Sequence, residues 1–339
     1  MASYVLVTGA TGFIGAHVVD ELLRRGFKVR AATRSIKKSS IFKHHRPDYT
    51  EQLDFVEIGD FSRATSFDEA VKGVDSVIHV ASPFSYSVKD NEKELVRPAI
   101  EGVKAIMEAS AASANVKRVV LTSSFASVMD ANRKAPPHFT YTAEDWNPLS
   151  YEESVAKETS AVIAYRGSKK FAELEAWNFV KERNPGFDLV TLCPPMTFGP
   201  IAHHVSVIEG LNESNANLWK VASGKELPVA RVPFWVDVRD LARAHVEALL
   251  RPEAGGKRYT VASPEKFSYS LVADIVSESF TWGPQRVVQV NKQEIDGSHD
   301  LDGMTAAKEL GLTYRPFRDT VKDFIEQAAD IEQRQEDHN

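Results

Sequence analysis

Tyr165 and Lys169 are the two side chains whose types and spacing most directly suggest chemistry. Of the nine tyrosines in the chain, Tyr165 alone has a lysine four residues downstream, in a stretch that reads as helix from about Ser160 to Lys181. A four-residue step places both side chains on one face of a helix, so a phenol and an ammonium group could act on the same small molecule. The alternative is a solvated lysine beside a half-buried tyrosine, and spacing alone does not exclude it.

Ser123 and Ser124 follow a β-rich segment and could contribute a hydroxyl to the same chemistry. Reduction of a carbonyl needs a hydride, a hydrogen-bond donor for the carbonyl oxygen and a proton for the developing alkoxide. Tyr165 would supply the proton. Because the reference pKa of tyrosine, about 10, is far above neutral pH, the phenol gives up its proton reluctantly, and the positive charge of Lys169 would ease the transfer by favouring the phenolate. In reverse the same groups would oxidise an alcohol, so the sequence does not encode the direction of the reaction.

A glycine-rich turn near the N-terminus predicts where a hydride carrier would bind. The segment TGATGFIG lies between a short β-rich run, Tyr4 to Thr8, and an amphipathic stretch, His17 to Arg25. Strand, glycine turn and helix is the context of a dinucleotide-binding motif, in which the pyrophosphate meets the N–H groups at the start of the helix. The turn residues expected to contact the dinucleotide are Gly9, Thr11, Gly12, Phe13, Ile14 and Gly15.

The end of the second predicted strand favours NADPH over NADH. Residues 28–39 contain no Asp or Glu that could bind the ribose hydroxyls, whereas Arg34 ends the strand and Lys37 and Lys38 follow it. A guanidinium group suits a 2′-phosphate, and without a carboxylate nothing repels that phosphate. We therefore expect Arg34 and Lys38 to contact NADPH, the alternative being a basic exposed loop.

Alternating strand and helix patterns predict an α/β fold. Helical segments, including Glu92 to Ser113 and Ser160 to Lys181, separate short apolar runs, which implies a Rossmann-like, doubly wound parallel sheet covered on both faces. The predicted sheet strands are Tyr4 to Thr8, Lys28 to Thr33, Leu53 to Ile58, Ser76 to Val80, Arg118 to Thr122 and Asp188 to Leu192.

The regular alternation of strand and helix patterns stops after Pro194, which predicts a second, smaller lobe. We expect residues 1–194 plus 234–263 to form the NADP(H)-binding domain and residues 195–233 plus 264–327 to form a C-terminal substrate lobe. Residues 328–339 are acidic and low in apolar side chains, so we expect a disordered tail.

Ligands of such sheets bind outside the carboxyl ends of the strands. Asp60 and Phe61, after the third strand, are expected at the adenine, and residues 80–82, after the fourth, at the middle of the dinucleotide. His79 lies inside an apolar run and is interpreted as a core residue. The full set of cofactor contacts expected beyond the glycine turn is Arg34, Lys38, Asp60, Phe61, Val80, Ala81, Ser82, Tyr165, Lys169, Pro194 and Pro195.

The motifs together resemble the extended, atypical short-chain dehydrogenase/reductases. The resemblance covers nearly the whole chain and is carried by TGATGFIG, HVASPF at 79–84, VKRVVLTSS at 116–124, YRGSKKFAELEAW at 165–177, FGP at 198–200 and VDVRDLARAH at 236–245. It is strongest to the fungal NADPH-dependent carbonyl reductases, which include methylglyoxal/isovaleraldehyde reductases and aldehyde reductase II. Plant dihydroflavonol reductases are more distantly similar.

This resemblance implies an oxidoreductase acting on CH–OH groups, which reduces aldehydes and ketones, often stereoselectively, with NADPH. It implies Ser124, rather than Ser123, as the catalytic serine with Tyr165 and Lys169. It also implies that the substrate pocket is lined by Phe84, Phe125, Met129, Val162 and residues 195–204, although Phe84, Met129 and Val162 could equally be core residues.

Departures from the family pattern leave the substrate open. Met129 stands where the similar yeast reductase has an aromatic residue, Arg166 is an uncommon bulky charge beside the tyrosine, and Pro195, His203 and His204 replace more apolar residues. The histidine pair has no carboxylate or cysteine at metal-ligand spacing, so we predict no metal site there.

Two other functions share this fold. A nucleotide-sugar epimerase or dehydratase would need basic residues for a diphosphate, and residues 199–233 offer Lys220, Lys225 and Arg231. A non-catalytic dinucleotide-sensing regulator would not need the tyrosine.

The composition of the chain limits its binding partners and the cellular compartment in which we expect it. The formal charge of −6 gives no electrostatic reason to bind nucleic acid or an anionic membrane. The resemblance implies a small-molecule carbonyl as the partner, and we expect a monomer or homodimer. The single cysteine, Cys193, allows no intrachain disulfide and is expected to be a small buried residue rather than a nucleophile. With a strand starting at Tyr4 and no apolar run of about 18 residues, we expect a cytoplasmic protein without a targeting segment.

Overall fold

The protein is described by a computed structural model that covers residues 3–82, 89–288 and 292–337, with all side chains in these ranges except those of residues 36–38. The strands are β1 (Tyr4–Thr8), β2 (Lys28–Thr33), β3 (Leu53–Glu57), β4 (Ser76–His79), β5 (Arg118–Thr122), β6 (Phe139–Tyr141), β7 (Asp188–Cys193), β8 (Met196–Phe198), β9 (Trp235–Asp237), β10 (Arg258–Thr260) and β11 (His299–Leu301). The helices are α1 (Phe13–Arg24), α2 (Ile36–His44), α3 (Asp68–Val71), α4 (Arg97–Ala112), α5 (Tyr151–Val155), α6 (Ala161–Arg183), α7 (Glu213–Ala222), α8 (Val238–Leu250), α9 (Tyr269–Ser279), α10 (Gly283–Arg286), α11 (Met304–Leu310) and α12 (Phe317–Glu336).

Within the described residues, seven strands form one sheet in the order β10-β7-β5-β4-β1-β2-β3, and neighbouring strands pair in parallel. Two apolar clusters cover its faces, one built on α1 and α8 and the other on α4 and α6. The predicted doubly wound α/β fold is confirmed. The six predicted strands are present, and the bounds of β3, β4 and β7 differ from prediction by one residue at the C-terminal end.

The helix predicted from Glu92 to Ser113 consists of two parts. A π-helical turn at Glu92–Val96 precedes α4, and Pro98 lies in the first turn of α4. Proline has no backbone N–H to donate and is tolerated at the start of a helix, so the change in helix type at this point has a local cause.

Helix α6 carries Tyr165 and Lys169 and has well-defined ends. The Ser160 hydroxyl accepts a hydrogen bond from the N–H of Ile163 at 3.4 Å, which caps the helix start. Asn184 ends the helix in the left-handed conformation, at φ 41°. The helix packs against α4 on one face of the sheet, and this contact helps to fix the direction of the helix face that carries Tyr165 and Lys169.

A third apolar cluster joins residues of the predicted substrate lobe. It combines Phe198, Trp219 and Phe267 with Phe317, Phe324 and Ala328 of α12. Two short parallel ribbons, β8 with β9 and β6 with β11, lie outside the main sheet. The division of the chain into two lobes at the predicted boundaries stays a prediction.

The expected disordered tail is wrong for residues 328–336. Helix α12 continues to Glu336, and Ala328 and Ile331 are buried at 0% and 6% exposure. Apolar side chains recur every three or four residues along α12, so one stripe packs on the core while the acidic residues face solvent. The low overall apolar content concealed this stripe.

Candidate active site

A cleft of about 1530 Å³ runs along the carboxyl ends of β1, β2, β3, β4 and β5. It is lined by most of the residues predicted to bind cofactor or substrate, namely Gly9, Thr11, Gly12, Phe13, Ile14, Gly15, Arg34, Asp60, Phe61, Val80, Ala81, Ser82, Ser124, Phe125, Met129, Val162, Tyr165, Lys169 and Pro195. The side chain of Lys38 and the whole of Phe84 lie outside the described residues.

The turn between β1 and α1 brings bare backbone to the cleft. Gly9 has φ +65°, a conformation that favours glycine, and a Cβ there would lie 2.9 Å from the N atom of Ala81. A Cβ on Gly15 would lie 2.1 Å from the carbonyl oxygen of Gly9, so the close packing of α1 on the turn requires glycine. Gly12 is the N-cap and has no side chain with which to cap α1, which leaves the first N–H groups to a ligand. These features suit the pyrophosphate of a dinucleotide.

Arg34 and Asp60 stand at the ends of β2 and β3, on the cleft rim. Arg34 is exposed and follows the last residue of β2. The Asp60 carboxylate accepts hydrogen bonds from the hydroxyl and the N–H of Ser62, at 2.6 and 2.9 Å, and these bonds lower the pKa of Asp60. An arginine at this position can pair with a phosphate, in agreement with the preference for NADPH that the sequence predicted.

Tyr165 and Lys169 share one face of α6 and both line the cleft. The Nζ of Lys169 lies 5.7 Å from the centre of the Tyr165 ring and donates a hydrogen bond to the Oγ of Ser82 at 2.9 Å. The lysine side chain lines the cleft and is half-buried, and the loss of water around its ammonium group lowers the pKa of Lys169 to about 8. An ammonium group with this pKa is mostly charged at neutral pH.

The two serines after β5 have different partners. The Ser123 hydroxyl is 6% exposed and donates to the Oε2 of Glu173 at 2.6 Å. The Ser124 hydroxyl instead accepts from the N–H of Ala126 at 3.1 Å, and an accepting hydroxyl keeps its hydrogen for a second partner. Ser124 is therefore better suited to hold a substrate oxygen.

Two other reactive side chains near the site are buried. His79 is 2% exposed, its Nδ1 lies 2.9 Å from the Thr8 hydroxyl, and burial lowers its pKa to about 3. Cys193 is fully buried, and burial raises the pKa of its thiol to about 12. Both were predicted to be core residues, and their burial agrees with that prediction.

The substrate end of the cleft differs in part from the prediction. Residues 195–197 line it, but Phe198 belongs to the third apolar cluster, and His203 packs against the Phe13 ring with centroids 6.1 Å apart. Residues 198–204 are thus not among its described lining residues. Pro194 is buried and is not among the described lining residues, and its carbonyl accepts from the N–H of Phe125 at 2.9 Å. Its contact with the cofactor stays a prediction.

Sequence reasoning missed several polar residues of the cleft. Asn217 on α7 and Tyr269 on α9 line it, together with Glu213. Burial raises the pKa of Tyr269 to about 12. These residues come from distant parts of the chain, and no local motif marks them. Glu173 also lines the cleft, and its position one helical step beyond Lys169 was a signal that could have been used.

Two further observations concern metal and membrane. Among residues 3–82, 89–288 and 292–337, no cluster of three or more His, Cys, Asp or Glu side chains could hold a metal ion. In the same part of the chain, no helix combines the length and apolar character needed to cross a bilayer.

Comparison with known proteins places this geometry in a family. The family model described as NAD dependent epimerase/dehydratase matches residues 5–262. The chain is 33% identical to the NADPH-dependent methylglyoxal reductase GRE2 of Saccharomyces cerevisiae, over 97% of this chain and 99% of the relative. It is also 33% identical to the ketoreductase azaE of Aspergillus niger, over 97% and 99% of the two chains.

A solved structure is similar over the same length. The crystal structure of yeast methylglyoxal/isovaleraldehyde reductase Gre2 complexed with NADPH matches with a TM-score of 0.87 at 31% identity, covering 98% of this chain and 99% of that one. The chain therefore belongs to the NAD dependent epimerase/dehydratase family, within the extended short-chain dehydrogenase/reductases.

Proposed function

We propose that this protein is an NADPH-dependent carbonyl reductase that converts aldehydes or ketones to alcohols. The observation that carries the proposal is the meeting of Ser124, Tyr165 and Lys169 in the cleft that also contains the glycine turn. One proton donor, one oxygen-binding hydroxyl and one site for a hydride carrier satisfy the requirements of the reaction.

The cofactor would lie along the carboxyl edge of the sheet. The glycine turn and the start of α1 would hold its pyrophosphate, Arg34 its 2′-phosphate, and Lys169 its nicotinamide ribose. When bound, NADPH supplies the hydride.

The chain's own residues orient the carbonyl and move the proton. Ser124 donates a hydrogen bond to the substrate oxygen, and Tyr165 transfers its phenolic proton to that oxygen as negative charge develops. The positive charge of Lys169 stabilises the phenolate that remains on Tyr165.

The relatives support this reaction, and one of them is named as NADPH-dependent. Two of them are named as a methylglyoxal reductase and a ketoreductase, and the similar crystal structure contains NADPH. A stereoselective outcome, a cytoplasmic location and a monomeric or homodimeric state stay parts of the proposal.

The nucleotide-sugar alternative has weaker support. Of the three basic residues considered for a diphosphate, Lys220 and Arg231 line the cleft, but the Nζ of Lys220 lies 2.9 Å from a carboxylate oxygen of Glu226. A lysine already paired with a carboxylate is a poorer diphosphate site than a cationic cluster.

A substrate panel tests the proposal. Loss of NADPH absorbance is followed with aliphatic aldehydes, α-diketones, β-ketoesters and aryl ketones, with NADH as the comparison and identification of the alcohol product. The proposal expects NADPH oxidation with at least one class and formation of the matching alcohol. Turnover of a UDP-sugar, or no oxidation with any carbonyl, would overturn it.

A further inference from the structure

Glu173 is a buried carboxylate beside the proposed site that the mechanism above does not use. It lies on α6, four residues after Lys169 and eight after Tyr165, so it continues the same face of the helix. Its side chain is 0% exposed. A carboxylate so deeply buried is stable only when charge and hydrogen bonds compensate for lost water.

The carboxylate has partners on three other segments of the chain. Its Oε2 accepts from the hydroxyls of Ser123 at 2.6 Å and Ser127 at 2.7 Å. Its Oε1 accepts from the hydroxyl of Thr191 at 2.7 Å and from the Nε of Arg258 at 2.8 Å. Burial alone would raise the pKa of Glu173, but Arg258 and the serines hold it below its usual value, so the group is ionised.

Its first link to the chemistry is through the turn after β5. Ser123 and Ser127, whose hydroxyls both donate to Oε2, flank Ser124 on either side. The Oγ of Ser127 also lies 2.7 Å from the carbonyl oxygen of Ser124. The carboxylate thus fixes the backbone that presents the Ser124 hydroxyl to the cleft.

Its second link is electrostatic. Burial lowers the pKa of Lys169, and the negative charge of Glu173 is the strongest opposing influence. Among the residues that the structure describes, the titratable side chains that interact with Lys169 or Glu173 include His79 on β4, Cys193 on β7, Arg258 on β10 and Tyr165 on α6 itself. Because His79 is neutral and Cys193 is a thiol at neutral pH, neither can replace the charge of Glu173.

We infer that Glu173 is a positioning residue of the reaction, whose carboxylate both anchors the turn carrying Ser124 and supplies the counter-charge for the Lys169 ammonium group. This inference rests on the proposed function, because it assigns Glu173 a role through the catalytic serine and lysine.

The pH dependence of NADPH binding tests the electrostatic half. The dissociation constant is measured by NADPH fluorescence from acid to alkaline pH for the unmodified protein and for Glu173→Gln, Glu173→Asp and Lys169→Met. In the unmodified protein, affinity should begin to fall near pH 8, where Lys169 deprotonates. We call the pH at which affinity begins to fall the break. In Glu173→Gln the break should move down by about one pH unit, whereas Glu173→Asp, which keeps the charge, should leave it near its original position.

A matched control separates this effect from lost stability. Asp240 is another buried carboxylate, 2% exposed and paired with Arg315, and it is not a lining residue of the cleft. Asp240→Asn should lower stability without moving the break. An unmoved break in Glu173→Gln, with the break abolished in Lys169→Met, would overturn the inference about Glu173 alone. A break that persists in Lys169→Met would instead count against the proposed role of Lys169.

Ser127→Ala tests the proposed role of Glu173 in anchoring the turn that carries Ser124, and it changes no charge. It removes the one hydroxyl hydrogen that the carboxylate of Glu173 and the carbonyl of Ser124 share, and also the oxygen that accepts from the Nη2 of Arg258. At saturating NADPH and a pH below the break, kcat for carbonyl reduction should fall roughly tenfold with the NADPH dissociation constant unchanged. An unchanged kcat would overturn the anchoring role.

Discussion

Two adjacent residues, Ser123 and Ser124, show how the fold gives similar side chains different tasks. Both line the cleft, but Glu173, 50 positions away in the sequence, takes the hydroxyl of Ser123. Spacing and residue type could identify the serine pair, the Tyr165–Lys169 pair and the glycine turn. They could not show which serine hydroxyl was already hydrogen-bonded, because that depends on a contact between the turn after β5 and helix α6.

Arg34→Ala tests the cofactor preference at the level of one residue. Removing a charge-assisted contact to the 2′-phosphate should weaken NADPH binding roughly tenfold to a hundredfold, while NADH binding changes little. Dissociation constants for both cofactors are measured by fluorescence titration. Lys28→Ala, at the exposed opposite end of β2, is the control and should leave both constants unchanged. Equal losses for the two cofactors in Arg34→Ala would refute the phosphate contact.

At the level of elements, the turn between β1 and α1 depends on glycine at a backbone contact. A Cβ at position 15 would meet the carbonyl of Gly9 at 2.1 Å, and neither backbone segment can move without opening the turn. Gly15→Ala should therefore weaken NADPH binding at least tenfold and lower the free energy of unfolding by about 1–3 kcal/mol. Titration and urea denaturation measure the two effects.

Gly186→Ala is the matched control for this substitution. A Cβ at Gly186 has nothing within 4 Å, and its φ lies outside the left-handed range. It should leave NADPH affinity unchanged. If Gly15→Ala also bound NADPH normally, the turn would not be the cofactor site that we propose.

An element can be predicted from sequence when its position is marked by a local pattern of apolar residues. The central strands β1, β4, β5 and β7 are buried on both faces, and they could be predicted nearly to the residue as short apolar runs. The C-terminal part of helix α12 was missed because the prediction relied on the low apolar content of the segment. The spacing of Phe324, Ala328 and Ile331, three to four residues apart, is the pattern that indicates a helix. The approach of Asn217 and Tyr269 to the cleft depends on packing of distant segments, which no local pattern encodes.

At the scale of the whole molecule, two buried histidines link stability to pH. Burial lowers the pKa of His79 to about 3 and that of His245 to about 4, from 6.5. Between the folded and unfolded values the unfolded chain binds more protons, so stability falls as pH decreases through this range.

Acidification from about pH 7 to about pH 5 should therefore cost about 2 kcal/mol of unfolding free energy for each of these histidines. Urea denaturation at the two pH values measures the loss. His245→Gln should reduce it, whereas His138→Gln, whose side chain is 53% exposed, should not. The same loss in His245→Gln as in the unmodified protein would show that His245 is not responsible.

The most direct test of the account is Tyr165→Phe, assayed with a carbonyl that the unmodified protein reduces. The substitution removes one hydroxyl from a side chain that lines the cleft and keeps the ring beside Lys169. We predict that NADPH still binds with nearly unchanged affinity, while kcat for NADPH oxidation falls by roughly a hundredfold or more, because the proton donor is gone. Near-normal turnover by Tyr165→Phe would contradict the assignment of Tyr165 as the catalytic acid and the mechanism built on it.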